Sequence, residues 1–507
     1  MNRTHSLQQI TDTAIWDIII IGGGATGLGS AVDAASRGYK TLLIEQYDFA
    51  KGTSSRSTKL VHGGVRYLQQ GNIKLVKEAL RERAYLLNNA PHLTSVQPFV
   101  VPVFSLWEKI YYAIGLKMYD LLSGKLSLGK TKILSKKETI AHLPAINPKK
   151  LSGGILYFDG QFDDSRLCAE LAITATKHGA TVLNYCKASG FLKDKSKIPK
   201  INAVVFTDKI SGQEYTVNTK AVINATGVFT DAVMQMDDKA KHDIVSPSQG
   251  IHLVVDHAFF PGTSAMMIPK TDDGRVLFAV PWHDHIVLGT TDTPVEKIEA
   301  EPKALEEEIE FILTHINRYG TSLIERKDVK SVYVGLRPLV KTQEGKSTAL
   351  LSRDHTLVVA PSGLVTVTGG KWTTYRKMAE DAVENAIFVS KQEKRECVTR
   401  SLSIGDPERD KIIEEIIKTD TSLAIALFEG YPYKKADVVY AVRAEMAVSV
   451  EDVLARRTRL LFLDAKAAIK LAPETASLMA KELKKDKDWE HSQVDAFTKL
   501  AQQYLLS

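Results

Sequence analysis

The chain has 507 residues, 44% apolar and 25% charged, which is length for two or three domains and excludes a disordered or fibrous class. A net charge of +6 falls short of a nucleic-acid binder's basic footprint and suits an anionic substrate or an anionic membrane surface. Cys168, Cys186 and Cys397 lie far apart without ligand spacing, so neither a disulfide framework nor a metal site is expected.

The polar stretch from Met1 to Asp12 lacks the apolar core of a signal peptide. No later run approaches the roughly eighteen apolar residues of a spanning helix. The expectation is a cytoplasmic protein, soluble or attached to a surface. Residues 18–21 are four isoleucines that run into Gly22-Gly23-Gly24-Ala25-Thr26-Gly27. A helical pattern follows to Arg37, stopped by Gly38, and Thr41-Leu42-Leu43-Ile44 makes a second buried strand ending at Glu45. This is the context a dinucleotide fingerprint requires. Gly22 permits the tight turn, Gly24 lets backbone approach a pyrophosphate, and Gly27 lets the helix lie close on the sheet. The helix start offers N–H groups to phosphate, and Glu45 is placed for the adenosine ribose hydroxyls.

The segment from Gly52 to Tyr67 is dense in hydroxyls, glycines and cations, the residue types that satisfy the polar atoms of a bound cofactor. Residues 72–90 read as an amphipathic helix, and 96–106 as an edge strand punctuated by Pro98 and Pro102. From Trp107, apolar residues recur at helical spacing (Ile110, Tyr111, Ile114, Met118, Leu121, Leu122) among lysines 109, 117, 125, 130, 132, 136 and 137. This segment either lies on an anionic bilayer or packs into a core.

Asp163-Asp164-Ser165 opens a helix to His178, and strands near 201–207 and 213–218 form a hairpin. Val222-Ile223-Asn224-Ala225-Thr226-Gly227 and Val365-Thr366-Val367-Thr368-Gly369-Gly370-Lys371 repeat the strand-into-glycine pattern, so the cofactor domain is assembled from separated segments. Residues 246–335 read as an inserted antiparallel sheet, and the chain after about 392 as a helical domain with a structural role.

Taken together, these blocks resemble the FAD-dependent glycerol-3-phosphate dehydrogenases of the D-amino-acid-oxidase-like flavoprotein superfamily. The most specific are Gly335-Leu336-Arg337-Pro338-Leu339 and Gly369-Gly370-Lys371-Trp372-Thr373-Thr374-Tyr375-Arg376. Others are Ser54-Ser55-Arg56-Ser57-Thr58-Lys59-Leu60, His62-Gly63-Gly64-Val65-Arg66-Tyr67-Leu68, Gly289-Thr290-Thr291-Asp292, Arg353-Asp354, and the run from Asp452 to Arg459. The resemblance implies an α/β fold: a Rossmann-like FAD-binding domain from discontinuous segments (1–75, 156–245, 336–391), a cap (76–155) with an antiparallel substrate sheet (246–335), and a C-terminal α-helical domain (392–507). It implies oxidation of sn-glycerol 3-phosphate to dihydroxyacetone phosphate with FAD, and electrons passed to a quinone from the inner face of the cell membrane. A homodimer is compatible with it.

The implied substrate residues are Arg66, Tyr67, Arg337, Arg353 and Lys371, with His252 beside them. The implied FAD contacts are Gly22, Gly24, Gly27, Glu45, Thr53, Ser54, Ser55, Lys59, Leu60, His62, Gly63, Gly64, Ala225, Gly227, Gly370, Lys371, Thr373 and Thr374. A phosphate handle explains the surplus of arginines, since guanidinium groups grip it bidentately. For proton removal arginine is a poor base and histidine is matched to neutral pH, so His252 and His62 are the candidates beside Arg337, with His62 alternatively serving the flavin. Lys371 serves either flavin or phosphate. An oxidase that passes electrons to oxygen shares all these residues. An amino- or hydroxy-acid oxidase, a nicotinamide dehydrogenase and a non-catalytic membrane scaffold fit them less well.

Overall fold

A computed structural model of the chain describes residues 1–64, 72–341 and 355–506. Among these, a six-stranded sheet runs in the order His355–Val359, Leu364–Gly369, Val222–Asn224, Ile18–Ile21, Thr41–Ile44, Thr181–Leu183. All its pairings are parallel except the antiparallel edge pair His355–Val359 with Leu364–Gly369. Its central strand is buried on both faces, which is why Ile18–Ile21 is uniformly apolar rather than alternating. Ile18 and Ile20 pack against the helices Ala25–Ser36, Asp164–Lys177 and Tyr375–Val389. Ile19 and Ile21 face a three-stranded antiparallel sheet, Cys186–Lys193, Ile201–Asp208 and Glu214–Asn218, through Val204, Phe206 and Val217.

A second, ten-stranded sheet draws strands from both sides of that domain. The strands Val245–Asp256 and Val329–Val340 form its longest antiparallel pair, and Thr94–Val103 pairs along its whole length with Gly153–Phe162. The latter strand straddles the boundary expected at 155. Thr94–Val103 is not the edge strand its prolines predict, because Ala265–Ile268 pairs on its other side. That pairing touches only Phe99 and Val100, so Pro98 and Pro102 fall on either side of it and no ladder bond is lost there.

The helix Leu106–Ser123 buries only Ala113, Leu116, Tyr119 and Ser123. Trp107 and Leu121 are each 82% exposed, and Ile110, Tyr111, Ile114 and Met118 also face solvent. Leu122 packs against Leu75, Val76, Leu80 and Tyr119, but the other periodic apolar positions are the outer face, and the core-packing alternative does not hold for them. Lysines 117, 125, 130, 132, 136 and 137 are exposed around it. No helix among the described residues is long and apolar enough to cross a membrane.

The C-terminal helices Arg409–Thr419, Lys435–Glu445, Ala465–Leu483 and Lys487–Ala501 pack on one another and share a core with Val254, Trp282, Val287 and Tyr333 of the ten-stranded sheet. They are fastened to the cofactor domain by buried ions. Arg456 Nε donates to Asp48 Oδ2 at 2.6 Å, and Arg457 Nη1 and Nη2 donate to the same carboxylate at 2.8 and 2.9 Å. Burial works against that charge, yet the two guanidinium groups hold Asp48 well below the usual carboxylate range.

Candidate active site

The turn after Ile18–Ile21 is closed by contacts that leave no room for side chains. Gly22 has φ +113°, and a Cβ there would lie 2.6 Å from the Ala225 carbonyl oxygen. A Cβ on Gly27 would run into the Gly22 carbonyl, which accounts for the third motif glycine as a packing residue. Ser54 Oγ accepts from the Ala25 N–H at 3.0 Å, so the following polar segment lies against the helix start. Glu45 is committed more than expected: Oε2 accepts from the Gly23 N–H at 2.6 Å and Oε1 from the Tyr47 N–H at 2.8 Å. Each carboxylate oxygen keeps a second acceptor position, and burial pushes its pKa up against those two bonds.

Around this turn lies a cavity of about 420 Å³. Gly22, Gly24, Glu45, Thr53, Ser54, Ala225, Gly227, Gly370 and Lys371 line it, with Ile44, Phe229, Val233 and Met236 as apolar wall. A second cavity of about 320 Å³ lies under the ten-stranded sheet. Thr53, Pro338, Gly369, Gly370, Lys371 and Trp372 line both, so the two meet where the third strand-into-glycine return ends. Trp372 Nε1 donates to the Ser54 carbonyl at 2.9 Å, and Thr53 Oγ1 to the Leu336 carbonyl at 2.6 Å. The Thr373 hydroxyl accepts from the His62 N–H at 3.2 Å. The polar segment is thereby stitched to both sheets. The residues fit FAD: a backbone cradle, an acid at one end, an apolar wall, and an opening into a smaller pocket at the other.

The smaller cavity is walled by Leu60, His62, Gly64, His252, Arg337, Lys371 and Thr373 from the expected set. The adjacent antiparallel strands bring His252 opposite Tyr333 and Ser248 opposite Arg337. Arg337 Nη2 donates to Thr290 Oγ1 at 3.1 Å and to the Thr291 carbonyl at 2.9 Å, and Nη1 lies 3.3 Å from Asp292 Oδ1. A Cβ on Gly250 would collide with this guanidinium, so the glycine makes its berth. Asp292 also accepts from Ser248 Oγ. His252 Nε2 lies 2.8 Å from Thr58 Oγ1. Burial, then the charges of Lys59 and Arg337, holds His252 well below its usual value of 6.5, so it is neutral at physiological pH.

Other expected residues are not brought to either cavity. Lys59 is the plainest correction: its ammonium lies 2.9 Å from both oxygens of buried Asp164, donates to the Ser55 carbonyl at 2.7 Å, and sits over Trp282, Tyr333 and Phe462. It is a core cation, neutralised on the spot, not a cofactor ligand. Ser55 and Thr374 are buried and line neither cavity. The Gly63 N–H is spent on Tyr119 Oη at 2.9 Å and Asp159 Oδ1 at 3.2 Å, an acid also bound by Arg83. Arg66, Tyr67 and Arg353 lie outside the described residues.

The sequence reading missed Arg275, which lines the same cavity and pairs with Asp273, and the holding roles of Thr290 and Asp292. The Gly289-Thr290-Thr291-Asp292 block was the available signal. Arg275 stands in no motif and gave none.

Residues 17–376 match the family described as FAD dependent oxidoreductase, and residues 408–490 match the C-terminal domain of alpha-glycerophosphate oxidase. The chain is 38% identical to the mitochondrial glycerol-3-phosphate dehydrogenase of Macaca fascicularis over 98% of its own length and 75% of that protein. It is 39% identical to the Homo sapiens protein of the same name, over 96% of this chain and 73% of that one. Among solved structures, a glycerol-3-phosphate dehydrogenase from Bacillus halodurans complexed with FAD superposes with a TM-score of 0.78 at 28% identity, covering 99% of this chain and 97% of that one. The L-alpha-glycerophosphate oxidase from Mycoplasma pneumoniae shares the fold, with a TM-score of 0.59 at 16% identity over 77% of this chain and 98% of that one.

Proposed function

Since this chain belongs to the FAD-dependent glycerol-3-phosphate dehydrogenase family, we propose that it oxidises sn-glycerol 3-phosphate to dihydroxyacetone phosphate and passes the electrons to a membrane quinone. The observation that carries this reading is the joint of the two cavities at Gly369–Trp372, with Arg337 and His252 on the wall of the smaller one. FAD, when bound, supplies the hydride acceptor.

Arg337 holds the phosphate. Its two Nη groups are held by Thr290, Asp292 and the Gln249 and Thr291 carbonyls, so little rotamer freedom remains to be lost on binding, and the phosphate exchanges for the longer of these contacts. Lys371 adds positive charge to the same cavity, and Arg275, which also lines it, is paired with Asp273. His252, kept neutral by its depressed pKa, takes the hydroxyl proton at Nε2, the nitrogen that reaches Thr58 on the cavity wall, from the tautomer that carries its proton on Nδ1. The buried Phe99 and Tyr157 and the half-buried Phe278 exclude water from the reacting carbon.

The apolar outer face of Leu106–Ser123 and its ring of lysines support peripheral attachment to an anionic bilayer, at the inner face of the cell membrane. A quinone dissolved in that bilayer is then within reach of a surface-bound enzyme. The match of residues 408–490 to an oxidase domain favours a second reading, with oxygen as acceptor and hydrogen peroxide as product. Peroxide release measured against quinone reduction separates the two.

Anaerobic addition of glycerol 3-phosphate to the purified protein is expected to bleach the flavin absorbance. Arg337→Ala is expected to keep the flavin and lose the bleaching at millimolar substrate. A wild-type spectrum unmoved by the substrate would overturn the assignment.

A further inference from the structure

His252 and Tyr333 are direct cross-strand partners, and their rings are stacked with centroids 4.8 Å apart and planes 17° from parallel. Tyr333 Oη donates to the Ser57 carbonyl at 3.0 Å, and the next residue, Thr58, is the one that meets His252 Nε2. One tyrosine therefore fixes the plane of the histidine and anchors the segment that carries its hydrogen-bond partner. Tyr333 does not line the cavity and is 1% exposed, so it does not touch substrate. Behind it stands Phe462, from the helix Leu460–Leu463 of the C-terminal domain, edge-on at 5.3 Å and 79°.

We propose that Tyr333 is a positioning residue for His252, and that the C-terminal domain reaches the reaction through it, with Phe462 as the backstop. The proposal rests on His252 acting as the base. Stacking limits rotation of the imidazole about its side-chain bond, so its Nε2 stays aimed at the wall of the substrate cavity. The same packing keeps water away from the ring. The charged groups around it are Lys59, whose ammonium lies 5.1 Å from the Tyr333 centroid and is paired with Asp164, and Arg337, paired with Asp292; His62 and Lys371 line the same cavity. Changing Tyr333 to leucine leaves these ion pairs in place and withdraws the ring face from Lys59, whereas phenylalanine keeps that face. A change in the pH profile of such a variant therefore reports on the histidine's surroundings.

The test compares FAD-loaded wild type with Tyr333→Leu, Tyr333→Phe, Phe462→Leu and His252→Gln, measuring the pH dependence of kcat/KM, kcat at saturation, flavin content and the Kd for glycerol 3-phosphate by calorimetry. Tyr333→Leu is expected to lower kcat by about 10- to 100-fold, with Kd and flavin content unchanged, and to move the acid limb of the profile up towards pH 6.5. Tyr333→Phe, which keeps the stack, is expected to restore kcat to within a few-fold of wild type. Phe462→Leu is expected to shift the limb the same way by less. A folded Tyr333→Leu with wild-type kcat and limb, beside a His252→Gln that is slow, overturns the positioning role and leaves the base in place. A His252→Gln that turns over like wild type overturns the base, and the positioning role with it. If Tyr333→Leu does not fold, Phe462→Leu decides alone: a shifted limb supports the proposal and an unmoved one overturns it.

Discussion

The two sheets build their halves of the site from different materials. The six-stranded sheet makes its cavity largely from backbone: a glycine turn, a helix start, and strand ends that deliver Ala225, Gly227, Gly369 and Gly370 to one place. The ten-stranded sheet makes its cavity from side chains held by other side chains, with Arg337 on Thr290 and Asp292, and His252 on Thr58. A backbone site needs space and tolerates little added volume. A side-chain site needs the right group at the right angle, and each group depends on neighbours far away in the chain.

This contrast can be broken most directly at Arg337. Arg337→Ala removes charge-assisted contacts to a phosphate worth about 1.5–3 kcal/mol each, so kcat/KM for glycerol 3-phosphate is expected to fall by roughly 10²–10⁴-fold with flavin content unchanged. The matching change on the other side is Gly24→Val. A Cβ there stands 3.1 Å from Ser54 Oγ, so the chain can fold around it, but the cradle is filled. The expected result is colourless protein with a near-wild-type circular dichroism spectrum. Retained flavin in Gly24→Val would mean that the backbone half tolerates added volume.

Lys59 sharpens the comparison, because it separates a cation that serves the fold from one that serves the site. Lys59→Met leaves buried Asp164 uncompensated and is expected to cost about 3–5 kcal/mol, read as a lowered urea midpoint, with Lys59→Met/Asp164→Asn recovering part of the loss. For pH, the sign follows from the depressed pKa of His252. The base is competent above that value and is lost as pH falls through it, so the acid limb of kcat/KM is expected below pH 6.5. The smallest effect belongs to the outer helix. Trp107→Ser with Leu121→Ser is expected to weaken partition onto anionic vesicles by at least about tenfold, since more than two methylene equivalents leave the bilayer at about 0.8 kcal/mol each, without changing turnover with a soluble acceptor.

Legibility in the sequence divides along the same line. Gly22, Gly24 and Gly27 announce themselves because a turn against a dinucleotide restricts residue type at fixed spacing. The three strand-into-glycine returns place the parallel sheet for the same reason. Lys59 reads as a cofactor contact because it stands among the hydroxyls and glycines of a cofactor loop, and nothing local says that Asp164 will be buried beside it. Arg275 left no mark, since its place on the cavity wall follows from the turn that leads into the strand Leu277–Trp282 and not from spacing. The helix from Leu106 showed its periodicity plainly, but periodicity names a stripe without saying whether protein or solvent faces it. Only the burial of Ala113, Leu116 and Tyr119 on the opposite side decides that.

Asp48 lies three residues beyond Glu45, between the second strand of the fingerprint and the polar segment, and it is gripped by two consecutive arginines from more than four hundred positions downstream. The last fifth of the chain thus clasps the loop that the nucleotide half of FAD would rest on. Shortening the gene from its 3′ end would strand a carboxylate inside the protein, and ligand occupancy should be felt as resistance to limited digestion at the far terminus.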